Sequence, residues 1–205
     1  MPVLEPPAAC PSGNTHIVGI LLAAGDSSRF GDSNKLLGEV NGRAMVTASA
    51  TTLCEAQVDT AIAVVSPEAE RVRDAVPNGV GIVETDASRS VLSTSVSTGV
   101  RAARKRGGDA VLFALGDMPW VERDSVEALV AAYRAGFGSA LAAACDGERG
   151  NPVIFGARHF DRLSSLSGDV GGRAILGDVS DGALIETNDP GVIRDIDTPA
   201  DLRSG

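Results

Sequence analysis

Short apolar runs alternate with amphipathic stretches along almost the whole chain. Unbroken apolar runs at Ile17–Leu22, Ala61–Val65, Gly81–Val83, Ala110–Leu115, Ala140–Ala144 and Pro152–Phe155 read as buried strands. Two later runs, Ala183–Glu186 and Val192–Ile196, read the same way. Between them, Ala44–Ala56, a stretch opening at Ser66-Pro67-Glu68, Leu92–Arg106 and Glu122–Tyr133 carry helical spacing, and a short helix from Thr198 closes the chain. Gly38–Arg43 has hairpin character. In the Leu92 helix, Val96, Val100 and Ala103 share one face, and the basic residues gather at the C-terminal end, where the helix dipole favours them. Ala110–Leu115 is the most apolar strand and belongs near the sheet centre. Strand–helix alternation of this kind predicts an α/β fold in one domain over residues 16–205. Residues 1–15, rich in Pro and Ala, are expected to be a disordered tail.

Composition narrows the partners. The chain has 205 residues and a net charge of −9, and Lys35 and Lys105 are its only lysines. An acidic surface argues against nucleic acid as partner, because polyanion binding needs a basic footprint. No apolar run approaches the ~18 residues needed to span a bilayer, and no signal peptide is recognisable, so a cytoplasmic protein is expected. Cys10, Cys54 and Cys145 are scattered, with neither metal-site nor redox spacing, and read as ordinary thiols in a reducing compartment.

The chemistry gathers at strand ends. In a mostly parallel sheet, ligands lie beyond the carboxyl edge. The first strand runs into Leu22-Ala23-Ala24-Gly25 and a polar loop ending Asn34-Lys35. Small residues at Ala23, Ala24 and Gly25 let the backbone approach a ligand and turn N–H groups toward phosphate oxygens. Arg29 offers a planar fork and Lys35 a compact charge, which together would neutralise a triphosphate as pyrophosphate leaves. The loop matches neither the ATPase phosphate loop nor the dinucleotide fingerprint. The central strand ends in Gly116-Asp117, a position suited to a Mg²⁺-binding carboxylate and equally compatible with a turn.

The loop resembles the signature of the molybdenum-cofactor nucleotidyltransferase family, which runs LAAG or LAGG, then Ser-x-Arg, a Gly, and Asn/Asp-Lys. Further blocks are similar and fall in family order: Gly116-Asp117-Met118-Pro119, Gly150-Asn151-Pro152-Val153-Ile154-Phe155, Leu166-Ser167-Gly168-Asp169-Val170-Gly171-Gly172-Arg173, and Asp195-Ile196-Asp197-Thr198-Pro199-Ala200-Asp201-Leu202. The resemblance implies a Rossmann-like, mixed but mostly parallel sheet flanked by helices, of the nucleotide-diphospho-sugar transferase type. It also implies Mg²⁺ as cofactor, held by Asp117. Asp197 is either a second metal ligand or, with Thr198, the N-cap of the terminal helix.

The implied reaction transfers CMP from CTP to the phosphate of molybdopterin and releases pyrophosphate. Arg29 and Lys35 would act on the triphosphate, and Ala23, Ala24 and Gly25 would bind the nucleotide. LAAG accompanies cytidine nucleotides in the family and LAGG guanosine nucleotides, so Ala24 points to CTP, with GTP as the alternative. Where the family has an Asn, a Gly and paired serines, this chain reads Glu84 to Ser95; Asp86, Ser93 and Ser95 are candidates for ribose or base contacts, while Ser88 or Ser90 would serve as a cap. Asn151, Asp169, Gly171 and Arg173 lie where the family binds its acceptor, with Gly150 a further candidate, and plain turn chemistry is the competing explanation. Other acceptors, a sugar or alcohol phosphate, keep the same chemistry. A non-catalytic carrier handing the pterin cofactor to a client molybdoenzyme is the alternative from another class.

Overall fold

The computed structural model describes residues 1–8, 14–25, 34–86, 91–198 and 200–203, excluding the side chains of Arg173 and Arg203. Its strands are β1 (Val3–Leu4), β2 (Ile17–Ala23), β3 (Glu39–Val40), β4 (Arg43–Ala44), β5 (Thr60–Val65), β6 (Gly81–Glu84), β7 (Ala110–Leu115), β8 (Ala140–Cys145), β9 (Glu148–Gly156) and β10 (Gly182–Glu186). The α-helices are α1 (Met45–Glu55), α2 (Glu70–Ala75), α3 (Leu92–Lys105), α4 (Arg123–Arg134), α5 (Phe160–Ser164) and α6 (Arg173–Leu176). One eight-stranded sheet has the order β1-β10-β8-β9-β7-β2-β5-β6, and β3 with β4 forms a separate hairpin. Every pair in the large sheet is parallel except those of β9, which runs antiparallel between β7 and β8. This is the expected mixed, mostly parallel α/β architecture.

Alternation along the central strands builds a core on each face. Ile17, Leu21 and Ala23 of β2 pack with Ala63, Val65 and Leu112 under α1 and α4, through Val46, Leu53 and Leu129. Val18 and Ile20 turn to the other face and meet Ile62, Val64, Val111 and Phe113 under Val96, Val100 and Ala103 of α3. These side chains are essentially inaccessible, and each buried Val, Leu or Ile contributes about 1.5–3 kcal/mol of transfer free energy. The register places Leu22 opposite Leu115, Ala23 opposite Val65, and Val65 opposite Glu84. The carboxyl ends of β2, β5, β6 and β7 therefore form one edge. Among the described residues, no helix is long and apolar enough to cross a membrane.

Several local expectations are corrected. Residues 1–8, expected within a disordered tail, are described, and Val3 and Leu4 add a parallel edge strand opposite Leu184 and Ile185. Backbone pairing with β10, not side-chain periodicity, fixes them. Val192–Ile196 is not a strand; Pro190–Ile193 forms a 3-10 turn capped by Asp189, whose carboxylate accepts from the N–H groups of Gly191 and Glu122 and from Ser125 Oγ. Ser66-Pro67 does not cap a helix. The Ala69 N–H bonds the Ser66 carbonyl in a turn, and α2 opens at Glu70. The terminal helix is a single 3-10 turn over Asp201–Arg203. β8 and β9 form a hairpin across Asp146-Gly147, both at positive φ, the residue pair that such tight turns favour.

Candidate functional site

Lys35 starts a 3-10 turn over Lys35–Leu37. Asn34 caps it by accepting from the Leu36 N–H at 3.0 Å, and Leu36 anchors it by burial. The turn thus fixes the root of the lysine while the stem extends over the sheet edge. Asp117 follows β7, where the Gly116 N–H bonds the Leu22 carbonyl at 3.0 Å and Ser49 Oγ of α1 donates to the Gly116 carbonyl at 3.3 Å. Asp197 comes from the far end of the sequence. The Ile196 N–H donates to the Asp117 carbonyl at 3.1 Å, which sets the two aspartates side by side.

The three side chains meet. Lys35 Nζ donates to Asp117 Oδ2 at 2.9 Å and to Asp197 Oδ1 at 3.0 Å. The side chains are 14%, 26% and 53% exposed in the order Lys35, Asp117, Asp197, so the cluster opens to solvent on the Asp197 side. Burial works to lower the Lys35 pKa. The hydrogen bond and charge of Asp117, then those of Asp197, outweigh it and leave the pKa above the ordinary lysine value. Lys35 is therefore a stable ammonium at neutral pH. Two carboxylate oxygens directed at one cation are hard donors, and that set also suits a Mg²⁺ ion, which is typically held by one or two carboxylates plus substrate phosphates.

Asp201 carries the side-chain contacts of the turn after Asp197. Its Oδ2 accepts from the N–H groups of Asp197 (3.1 Å) and Thr198 (2.7 Å) and from Thr198 Oγ1 (2.9 Å). The Thr198 hydroxyl and backbone bonds hold the Asp201 carboxyl below the usual carboxylate range. With Asp201 closing the turn, the Asp197 carboxylate points to Lys35. An acid three residues after Thr198 is the sequence signal for this turn. Nearby in sequence to these segments, the Arg194 guanidinium stacks 3.7 Å from the centroid of the Trp120 ring. Nothing in their sequence spacing announces that contact.

Ala23 and Ala24 are buried at the end of β2, and Gly25 is exposed. Asp86 is exposed just beyond β6. Ser93 and Ser95 are buried in the first turn of α3. The Ser93 N–H reaches the Gly168 carbonyl at 3.4 Å, and Gly171 lies against Leu92, so the Gly-rich segment carrying the exposed Asp169 rests on the start of α3. Asn151 is buried, and its amide turns to Met118 Sδ at 3.5 Å, beneath Asp117. Gly150 answers to packing: a Cβ there would stand 2.0 Å from the Val192 carbonyl oxygen. Arg29, Ser88 and Ser90 lie outside the described residues, as does the side chain of Arg173.

Comparison with known proteins places the chain in a family. Residues 19–183 match the model of the MobA-like NTP transferase domain. The chain is 31% identical over 200 residues to purine catabolism protein PucB of Bacillus subtilis, covering 90% of this chain and 93% of that protein. It is 31% identical over 157 residues to phosphoenolpyruvate guanylyltransferase of Sphaerobacter thermophilus, covering 71% and 69%. In fold it is similar to Rv0371c of Mycobacterium tuberculosis, with a TM-score of 0.80 at 24% identity over 94% of this chain and 98% of that one. The structure of Rv0371c in complex with manganese superposes with a TM-score of 0.77 at 23% identity, over 93% and 97%. The chain belongs to the MobA-like NTP transferase domain family, and it is a nucleotidyltransferase.

Proposed function

We propose that this enzyme transfers CMP from CTP to the terminal phosphate of a molybdopterin-type acceptor. An acceptor phosphate oxygen attacks the α-phosphorus, the bond from that phosphorus to the bridging oxygen breaks, and pyrophosphate leaves with the electron pair. The observation that carries this reading is the convergence of Lys35, Asp117 and Asp197 at the carboxyl edge of the sheet. A phosphate nucleophile is already anionic near neutral pH, so no general base is needed, and positioning with charge neutralisation suffices.

Asp117 and Asp197 would hold Mg²⁺, which supplies charge neutralisation on the triphosphate. Lys35, with Arg29, neutralises the departing pyrophosphate, while Ala23, Ala24 and Gly25 bring backbone close to the nucleotide. Asp86, Ser93 and Ser95 remain the candidates for ribose and base. Asn151, Asp169, Gly171 and Arg173 are those for the acceptor, with a client molybdoenzyme as eventual recipient. The reaction belongs in the cytoplasm, with its nucleoside triphosphates.

Ala24 in the LAAG sequence favours CTP. The guanylyltransferase relative favours a second reading in which GTP is the donor and a small phosphorylated acid the acceptor. Mass spectrometry after incubation with Mg²⁺, CTP or GTP, and either molybdopterin or a panel of sugar, alcohol and acid phosphates separates them. CMP joined to molybdopterin is expected. A nucleotide joined only to another phosphate would overturn the acceptor, and tight pterin binding without pyrophosphate would indicate a carrier.

A further inference from the structure

The Lys35 ammonium lies between Asp117 Oδ2 and Asp197 Oδ1, at 2.9 and 3.0 Å. Each of the three is fixed by separate contacts. Asn34 and Leu36 set the lysine turn, Leu22 and Ser49 hold Gly116 at the end of β7, and Asp201 closes the Asp197 turn. The backbone segments that carry the two carboxylates are thus held together by contacts that do not involve the lysine. Like charges this close repel one another in a partly desolvated site, and the ammonium offsets that repulsion. The lysine differs from its partners in one respect: its ammonium is a point charge at the end of a flexible four-carbon stem, able to swing while its root stays put.

The proposed function gives the same carboxylates a second cation and the same lysine a second partner. The ammonium takes one oxygen of each carboxylate, so a cation seated between the pair through Asp117 Oδ2 and Asp197 Oδ1 would have to displace it. We propose that Lys35 is the resident counter-ion of the Asp117–Asp197 pair in the nucleotide-free enzyme and gives way to the divalent cation as nucleotide binds, with the triphosphate receiving the displaced ammonium. The inference rests on the metal reading given above. Its consequence is a thermodynamic coupling: the cation alone binds weakly because it must displace a paired ammonium, and the nucleotide improves metal binding by giving that ammonium an anionic partner. Lysine is then an occupant of the metal position and not merely a triphosphate ligand.

Mn²⁺ titration of the nucleotide-free protein, followed by the electron paramagnetic resonance of free Mn²⁺, tests this directly. Lys35→Met should bind Mn²⁺ at least tenfold more tightly than the wild type, Lys35→Gln should do the same, and Asp117→Asn should abolish the gain in the Lys35→Met background. Using two neutral replacements guards against one of them failing to fold. If both lysine variants bind Mn²⁺ no tighter than the wild type, while Asp117→Asn still weakens binding, the exchange is overturned and the proposed metal site stands. If Mn²⁺ binding ignores Asp117→Asn in every background, with and without CTP, the metal site and the exchange fall together.

Discussion

The Ile196 N–H donates to the Asp117 carbonyl at 3.1 Å, and through that bond the C-terminal segment delivers Asp197 to the end of the central strand. Lys35 then joins the two aspartates from the loop after β2. A site assembled this way depends on backbone contacts as much as on its charged side chains.

Asp201 is the clearest case, since its carboxylate bonds the turn that carries Asp197. Asp201→Asn keeps the shape but weakens the bonds that orient Asp197 and Thr198. The expected result is a fall in kcat/KM of about ten- to a hundredfold, as small misplacements of a positioned group produce, with an almost unchanged melting temperature. Steady-state pyrophosphate release and a thermal melt check both halves.

Gly150 should fail for a different reason. A methyl group there meets the Val192 carbonyl, which belongs to backbone and cannot swing away. Gly150→Ala should cost about 1–3 kcal/mol of stability or more, measured by urea denaturation, because overpacking has no easy relief. A variant as stable as the wild type would mean that β9 and the Pro190 turn are not packed together.

Glu186 links stability to pH. Burial would raise its pKa, but the N–H groups of Gly147, Asn188 and Asp146 donate to the carboxylate and hold the pKa below the usual glutamate value. A carboxyl with a depressed folded pKa contributes stability above its unfolded pKa of about 4.3 and loses it as pH falls through the folded value. Unfolding free energy should therefore drop on acidification below about pH 4.3, and Glu186→Gln should flatten that drop while lowering stability at neutral pH. Denaturant titrations across that range measure it.

The sequence showed the sheet interior well because the central strands are unbroken apolar runs, as in Ile17–Ala23 and Ala110–Leu115, and burial on two faces demands such runs. It showed β1 not at all, since Val3 and Leu4 are too short for periodicity and are ordered by pairing with β10. Val192 and Ile196 misled because they are buried by tertiary contacts while Asp189 and Pro190 set the local backbone. For the site, residue types at strand ends pointed to Lys35 and Asp117. The meeting of Lys35 with Asp197 was not legible, since it depends on the Ile196–Asp117 bond and on Asp201, both non-local or overlooked. Sequence type also could not separate Gly150, a packing residue, from its neighbours in the same motif.

On the proposed function, Lys35 and Asp117 belong to one catalytic site for nucleotidyl transfer. The most direct test of this is pyrophosphate release with Mg²⁺, CTP and molybdopterin, comparing the wild type with Lys35→Ala and Asp117→Ala, each confirmed folded by circular dichroism. The wild type should release pyrophosphate steadily, and each variant should lose about 10²–10³ in kcat. Near-native turnover by either folded variant would contradict it.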